Sequence, residues 1–225
     1  MDGAQLAAKL DHAYLKVAPG MDVDGLRRSV EETIKHGFRS ICVSPVLAGT
    51  VKKNYPTVKV AAVVAYPLGM ETRAAKIYSV QELIAQGIDE VDIVYDLFAL
   101  INGNRRKIEA EAMALGEITA ASKVFHKAII ETPVLDDNQI CMAAEVLADT
   151  PVDCIKTSTG YHRDPTDPDH VRLIRSVVGS RKAIKASGGI STIYDAQEML
   201  DAGANILGTS RSVQILNEAQ ALSAQ

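Results

Sequence analysis

The sequence has few cysteines and no long run of basic residues, and each of these features excludes a class of protein. Its three cysteines, Cys42, Cys141 and Cys154, are odd in number and far apart, which argues against a disulfide framework or a zinc site. Isolated thiols of this kind are typical of proteins from a reducing cytoplasm. The net charge is −4 and no cluster of Lys or Arg is present, so we do not expect nucleic acid to be the main partner.

Long apolar segments and linkers are also missing. No apolar run approaches the ~20 residues that span a bilayer, so no membrane partner is expected. The start of the chain, MDGAQLAAKLDHAY, lacks the basic region and apolar stretch of a secretory signal. No segment rich in proline, glycine or serine divides the chain, which predicts one domain over residues 1–225. These features together favour a cytoplasmic protein that acts on small molecules.

What the sequence does contain is an alternation of short apolar runs with longer segments of helical period. The runs predict strands at residues 10–16, 40–45, 58–66, 88–95, 123–131, 152–158, 181–189 and 205–210. The segments between them predict helices at 22–36, 45–54, 71–86, 104–121, 136–149, 167–178 and 191–202. Such an α/β alternation fits a single (β/α)8 TIM barrel or an open doubly wound sheet. The periodicity does not separate the two folds, and the chemistry below favours the barrel.

Two lysines follow apolar runs at the ends of neighbouring predicted strands. Lys156 stands in VDCIKTSTG, where Thr159 adds a hydroxyl and Gly160 permits close approach of a ligand; Lys185 comes 29 residues later in RKAIKASGG. In a barrel, functional residues cluster at these strand ends. Burial and a neighbouring like charge both favour a neutral, nucleophilic amine. The alternative is two unrelated solvated lysines, and their shared placement favours a reactive lysine at position 156.

An aspartate in the middle of a predicted strand is the third candidate. Asp92 lies among apolar residues in DEVDIVYD, so it should be buried and therefore paired with a cation. A lysine at the barrel centre is the obvious partner, although a purely structural ion pair would satisfy the same pattern. Asp89 and Glu90 precede the strand core and are predicted to be cap or solvent-facing residues.

Two glycine turns predict a phosphate site. Gly188 and Gly189 precede a helix that should begin near Ser191. The second turn, before the last helix, consists of Gly208, Thr209, Ser210 and Arg211. Both turns would present free backbone N–H groups at a helix N-terminus, which is where anions bind. The loops after strands 7 and 8 are also the usual phosphate position in barrels.

Eight segments carry a family resemblance. They are LDHAYLK at 10–16, CVSP at 42–45, YPLG at 66–69, DEVDIV at 89–94, IIET at 129–132, KTSTG at 156–160, KASGG at 185–189 and GTS at 208–210. In this order, and above all through KTSTG followed by KASGG, the chain resembles the deoxyribose-phosphate aldolases. The resemblance implies a class I aldolase without metal or cofactor. Its reaction would be the reversible cleavage of 2-deoxy-D-ribose 5-phosphate to acetaldehyde and D-glyceraldehyde 3-phosphate.

The resemblance also implies roles for individual residues. Lys156 matches the Schiff-base lysine, Lys185 the lysine that perturbs it, and Asp92 the aspartate of a proton relay. The phosphate-binding positions correspond to Gly188, Gly189, Gly208 and Ser210.

The chain departs from the family pattern at four positions. They are Ala13 for a threonine, Ser44 for an asparagine, Tyr161 for phenylalanine or lysine, and Arg211 for a small residue. Arg211 could bind phosphate bidentately or point to solvent. The departures leave open a related phosphosugar aldolase or an isomerase with another substrate, and a non-catalytic phosphosugar-binding protein. A homodimer is also compatible with the sequence.

Overall fold

Eight parallel strands close into a barrel in which each strand pairs with the next along the chain and the last pairs with the first. This computed structural model describes residues 2–18, 21–162 and 164–223. The strands are β1 (Leu10–Tyr14), β2 (Ser40–Val43), β3 (Val60–Val64), β4 (Glu90–Val94), β5 (Phe125–Ile129), β6 (Cys154–Lys156), β7 (Ala183–Ser187) and β8 (Ile206–Thr209). The predicted (β/α)8 TIM barrel is confirmed.

Helices surround the barrel and connect its strands. They are α1 (Gly3–Ala7), α2 (Val23–His36), α3 (Pro45–Asn54), α4 (Arg73–Ala85), α5 (Leu97–Ile101), α6 (Arg105–Ala121), α7 (Asp137–Ala148), α8 (Pro168–Val178), α9 (Ile193–Asp201) and α10 (Ser212–Ser223). A 3-10 turn, Thr132–Val134, follows β5. Within the described ranges, none of the helices is both long and apolar enough to cross a membrane.

Local signals at the helix ends explain why these segments fold as predicted. In α2, the side chain of Asp22 accepts the N–H of Gly25 at 2.6 Å, and the helix ends at Gly37 with φ at 68°. That left-handed conformation is accessible to glycine without steric cost. Between these ends, Leu26 and Val30 are buried against the barrel.

The strands are buried on both faces, as their continuous apolar character predicts. All five residues of β3 are buried, and so are all five of β4. Residues of the outward face pack against the helices, whereas the inward face of several strands carries charged side chains. The interior of the barrel is therefore where a site can form.

Candidate active site

Asp92 is the centre of a cluster of lysines inside the barrel. It is fully buried on β4, and its Oδ2 accepts hydrogen bonds from Lys156 Nζ at 2.9 Å and Lys185 Nζ at 2.8 Å. Lys127 on β5 donates to the other oxygen at 2.7 Å. Lys156 and Lys185 are register partners in β6 and β7, so their side chains leave the sheet at the same height. The structure thus brings the three residues predicted to be catalytic into direct contact.

In this cluster, neighbouring charges and burial shift the pKa values of the side chains in opposite directions. Burial alone would raise the pKa of Asp92, but Lys127, Lys156 and Lys185 outweigh it and hold that pKa well below its usual value. Burial would lower the pKa of Lys185, but Asp11, at 2.6 Å, and Asp92 outweigh it and keep that pKa well above its usual value. Lys185 therefore remains a fixed cation beside Lys156.

A second layer of charges lies below the cluster, and sequence reasoning missed it. Asp11 accepts from Arg39 at 2.8 Å, and Glu90 accepts from the same guanidinium at 2.7 Å and pairs with Lys127. The prediction that Glu90 faces solvent is wrong, because the residue is only 2% exposed. Side chains two apart on a strand share a face, so the spacing between Glu90 and Asp92 was the signal for this placement.

An apolar cluster borders Asp92 and is built from residues in or just after the first three strands. It consists of Ala13, Leu15, Cys42, Ala61, Val63 and Tyr66. Cys42 Sγ lies 3.9 Å from Asp92 Oδ2, and burial together with that carboxylate raises the pKa of Cys42 to about 11. Its thiol therefore stays protonated near neutral pH. One wall of the site is thus suited to a small apolar group.

The hydroxyls that follow Lys156 join the ends of two strands. Thr157 and Ser158 donate to the carbonyl of Ser187 at 3.2 and 2.7 Å. Thr159 Oγ1 accepts the N–H of Tyr161 at 3.1 Å and is engaged in that turn. These hydroxyls therefore hold β6 against β7, a task that the sequence pattern did not reveal.

The two segments predicted to be glycine turns come together at the same end of the barrel. The prediction that Gly208 and Thr209 form a turn is wrong, because both lie in β8, but Thr209 Oγ1 donates to the carbonyl of Ile190 at 2.7 Å and links the end of β8 to the turn after β7. Gly208 has a further role, since a Cβ there would lie 2.8 Å from Lys185 Cε. Ser210 and Arg211 are exposed at the rim of the barrel.

The start of α9 differs from the prediction. The helix begins at Ile193, and the N–H groups of Ser191 and Thr192 both donate to Asp195 Oδ2 at 2.9 Å. These helix N–H groups are therefore not free for an anion, because the acidic side chain in the first turn caps them. In the described part of the chain, the N–H groups of Gly188 and Gly189 have no acceptor, so they remain available.

Comparisons with known proteins show the family of the chain. The model of the DeoC/LacD family aldolases matches residues 8–211. The chain is 38% identical to a deoxyribose-phosphate aldolase from Caldicellulosiruptor saccharolyticus, over 97% of this chain and all of that protein. It is 36% identical to the one from Rhodospirillum rubrum, over 99% of this chain and 93% of the relative.

Solved structures show the same likeness. An aldolase called QR15 superposes with a TM-score of 0.90 at 31% identity and covers 97% of both chains. The tetrameric deoxyribose phosphate aldolase from Aeropyrum pernix superposes with a TM-score of 0.90 at 27% identity, over 98% of this chain and 93% of that one. The chain belongs to the DeoC/LacD family of aldolases.

Proposed function

We propose that this aldolase reversibly cleaves 2-deoxy-D-ribose 5-phosphate to acetaldehyde and D-glyceraldehyde 3-phosphate through a Schiff base on Lys156. The observation that carries the proposal is the contact of Lys156 and Lys185 with one oxygen of Asp92 inside the barrel. The names of the relatives from Caldicellulosiruptor saccharolyticus and Rhodospirillum rubrum support this substrate.

In the proposed reaction, Lys156 leaves Asp92 and its amine attacks the aldehyde carbon of the open-chain sugar. Loss of water gives an iminium, which accepts the electron pair of the C2–C3 bond as that bond breaks. Asp92, directly or through a water, takes the proton of the C3 hydroxyl, and D-glyceraldehyde 3-phosphate leaves. The remaining enamine is protonated at C2, and hydrolysis of the iminium releases acetaldehyde and the free lysine.

The fixed charge of Lys185 supports this cycle. Lys185 keeps its positive charge next to Lys156 and stabilises the carboxylate of Asp92 between the proton transfers. Its contact with Asp92 also places a proton donor on the relay that serves the enamine. We assign the small apolar wall around Cys42 to the two carbons that become acetaldehyde, because that half of the substrate carries no further hydroxyl.

The phosphate would lie where the glycine turn after β7 meets the end of β8. The available N–H groups of Gly188 and Gly189 are its proposed ligands, with Gly208 and Thr209 at the end of β8 and Ser210 after it beside them. Thr159 would contribute its hydroxyl as a donor, since its N–H and its carbonyl are bonded to Glu131 and Tyr66 and its Oγ1 only accepts, from the N–H of Tyr161. Arg211 is exposed at the rim, where its guanidinium can reach an anion from the solvent side.

We further propose that residues 1–225 form one aldolase domain, that the chain acts in the cytoplasm and that it assembles as a homodimer. The three free cysteines support a reducing compartment. Self-association is supported by the tetrameric assembly of the Aeropyrum pernix relative.

Borohydride trapping tests the proposed function directly. Incubation with 2-deoxy-D-ribose 5-phosphate and borohydride should inactivate the protein and add the reduced substrate fragment to Lys156, as located by peptide mass spectrometry. Lys156→Ala should abolish acetaldehyde release while the far-UV circular dichroism remains that of the wild type.

Other functions give different results in the same experiment. An isomerase would stay active and unmodified, and a non-catalytic binding protein would bind the sugar phosphate without releasing acetaldehyde. Near wild-type turnover by Lys156→Ala would refute the assignment of the nucleophile.

A further inference from the structure

Two side chains hold the backbone of Thr159, one at its carbonyl and one at its N–H. Each comes from a segment that follows a different strand. Tyr66, which follows β3, donates its hydroxyl to the carbonyl of Thr159 at 2.9 Å. Glu131, which follows β5, accepts the N–H of the same residue at 2.9 Å through Oε2. We call these two hydrogen bonds the Thr159 clamp. The ring of Tyr66 belongs to the apolar wall described above, but neither its hydroxyl nor Glu131 has a role in the lysine chemistry.

Glu131 has two features that destabilise the folded protein, a strained backbone and a buried carboxylate. It has a φ of 56°, a left-handed conformation that costs a residue with a Cβ about 1–2 kcal/mol. Its carboxylate is fully buried, and Oε1 has no hydrogen-bond partner among the described residues. Strain and burial of this kind are concentrated at functional sites.

The Thr159 clamp lies between the residues that would bind the two ends of the proposed substrate. Thr159 is three residues from Lys156, where the Schiff base would form. The next residue, Gly160, contacts the phosphate turn so closely that a Cβ on it would lie 3.3 Å from Gly188 Cα. Further along the same loop, Thr166 donates its N–H to the carbonyl of Gly188 at 3.1 Å. A shift of the Thr159 peptide would therefore change the distance from the reactive amine to the phosphate turn.

We propose that Tyr66 and Glu131 are positioning residues that select for a phosphorylated substrate by fixing the span between Lys156 and the Gly188–Gly189 turn. The proposal rests on the proposed function and adds a determinant of substrate length to it. With the clamp intact, one substrate reaches the amine and the phosphate turn at once. With the clamp loosened, the amine still reacts, but the phosphate no longer contributes its full binding energy to the reaction.

The test compares kcat/KM for 2-deoxy-D-ribose 5-phosphate with kcat/KM for unphosphorylated 2-deoxy-D-ribose. Tyr66→Phe removes only the hydroxyl, and we expect the ratio of the two constants to fall about three- to tenfold, the effect of one hydrogen bond. Glu131→Ala should lower the ratio as well. Glu131→Gln, which keeps an oxygen acceptor for the Thr159 N–H, should restore most of it.

Tyr78→Phe is the matched control, because it removes the hydroxyl of a tyrosine that is 70% exposed on α4. Its ratio should equal that of the wild type. An unchanged ratio in Tyr66→Phe, or an equal loss with both sugars, would overturn the proposal. If Glu131→Ala does not fold, Tyr66→Phe decides the matter alone. A wild-type protein that cleaves neither sugar would instead refute the proposed function.

Discussion

Lys185 lies between Asp11 on β1 and Asp92 on β4, and both carboxylates are fully buried. Removing one partner of a buried ion pair leaves the other charge without compensation, which costs more than the pair itself contributes. The same lysine supplies the fixed positive charge beside Lys156. Its loss should therefore affect both the stability of the barrel and the rate of the reaction.

Lys185→Leu should lower the free energy of unfolding by about 3 kcal/mol and lower kcat for acetaldehyde release about tenfold, because Asp92 loses a charged hydrogen-bond donor. Chemical denaturation and initial rates between pH 5 and 9 measure the two effects. Lys182→Leu is the control, since that lysine donates to the carbonyl of Thr150 at 2.7 Å, away from Asp92. A wild-type rate of acetaldehyde release in Lys185→Leu would contradict the role of this lysine at Asp92.

At the scale of elements, the loop between β6 and α8 packs on the turn that follows β7. A Cβ on Gly189, whose φ is 80°, would lie 2.4 Å from Pro165 Cβ. Gly87, at the end of α4, has a similar φ of 78° but has open space around its Cβ position. The two glycines therefore share one backbone strain and differ in the crowding around them.

Gly87→Ala should destabilise the protein by about 1–2 kcal/mol, the cost of a left-handed alanine. Gly189→Ala should cost a further 1–3 kcal/mol, roughly, because the loop has to move. It should also raise KM for the sugar phosphate, whereas Gly87→Ala leaves KM unchanged. Urea titrations and steady-state kinetics of the two variants give the comparison. Equal losses of stability would show that Pro165 yields without cost.

The pattern of the sequence predicts the regular elements but not the contacts within the barrel. All eight strands appear at the predicted positions, because strands buried on both faces leave a continuous apolar run. The helices α1 and α5 were missed, since five residues are too few to show a helical period. The sequence predicts that a lysine pairs with Asp92, but it does not predict that three lysines contact this carboxylate. Lys127 was hidden within an apolar run, and its role depends on the register between β4 and β5.

At the scale of the whole molecule, a buried histidine makes the stability of the barrel depend on pH. His126 is fully buried between Tyr95 and Thr119. Burial, reinforced by Lys127, lowers the pKa of His126 to about 3 from an ordinary value of 6.5. The unfolded chain therefore binds a proton at a pH where the folded chain does not, so the stability falls as the pH is lowered through this window.

The free energy of unfolding should decrease by about 1.4 kcal/mol per pH unit between pH 6 and 4 on account of His126. Asp11 and Asp92, whose pKa values are depressed in the folded state, contribute stability that is lost only below about pH 4. In His126→Gln, the free energy of unfolding should depend less steeply on pH above pH 4, by the contribution of about one proton. Parallel stability curves for the variant and the wild type would contradict this assignment.

The ion pair between Lys185 and Asp11 has a consequence for how activity develops in time. The pair joins residues 174 positions apart and spans β7 and β1, on the two sides of β8. Contacts between residues so far apart in sequence form late in folding, because closing a long loop costs conformational entropy before the contact stabilises the chain. A refolding chain with six or seven strands in place would hold Lys156 and Asp92 without this neighbouring pair. The full enzymatic rate should thus return only when β8 pairs with β7 and β1 and closes the barrel. The rate of acetaldehyde release during refolding therefore reports on the final step of folding.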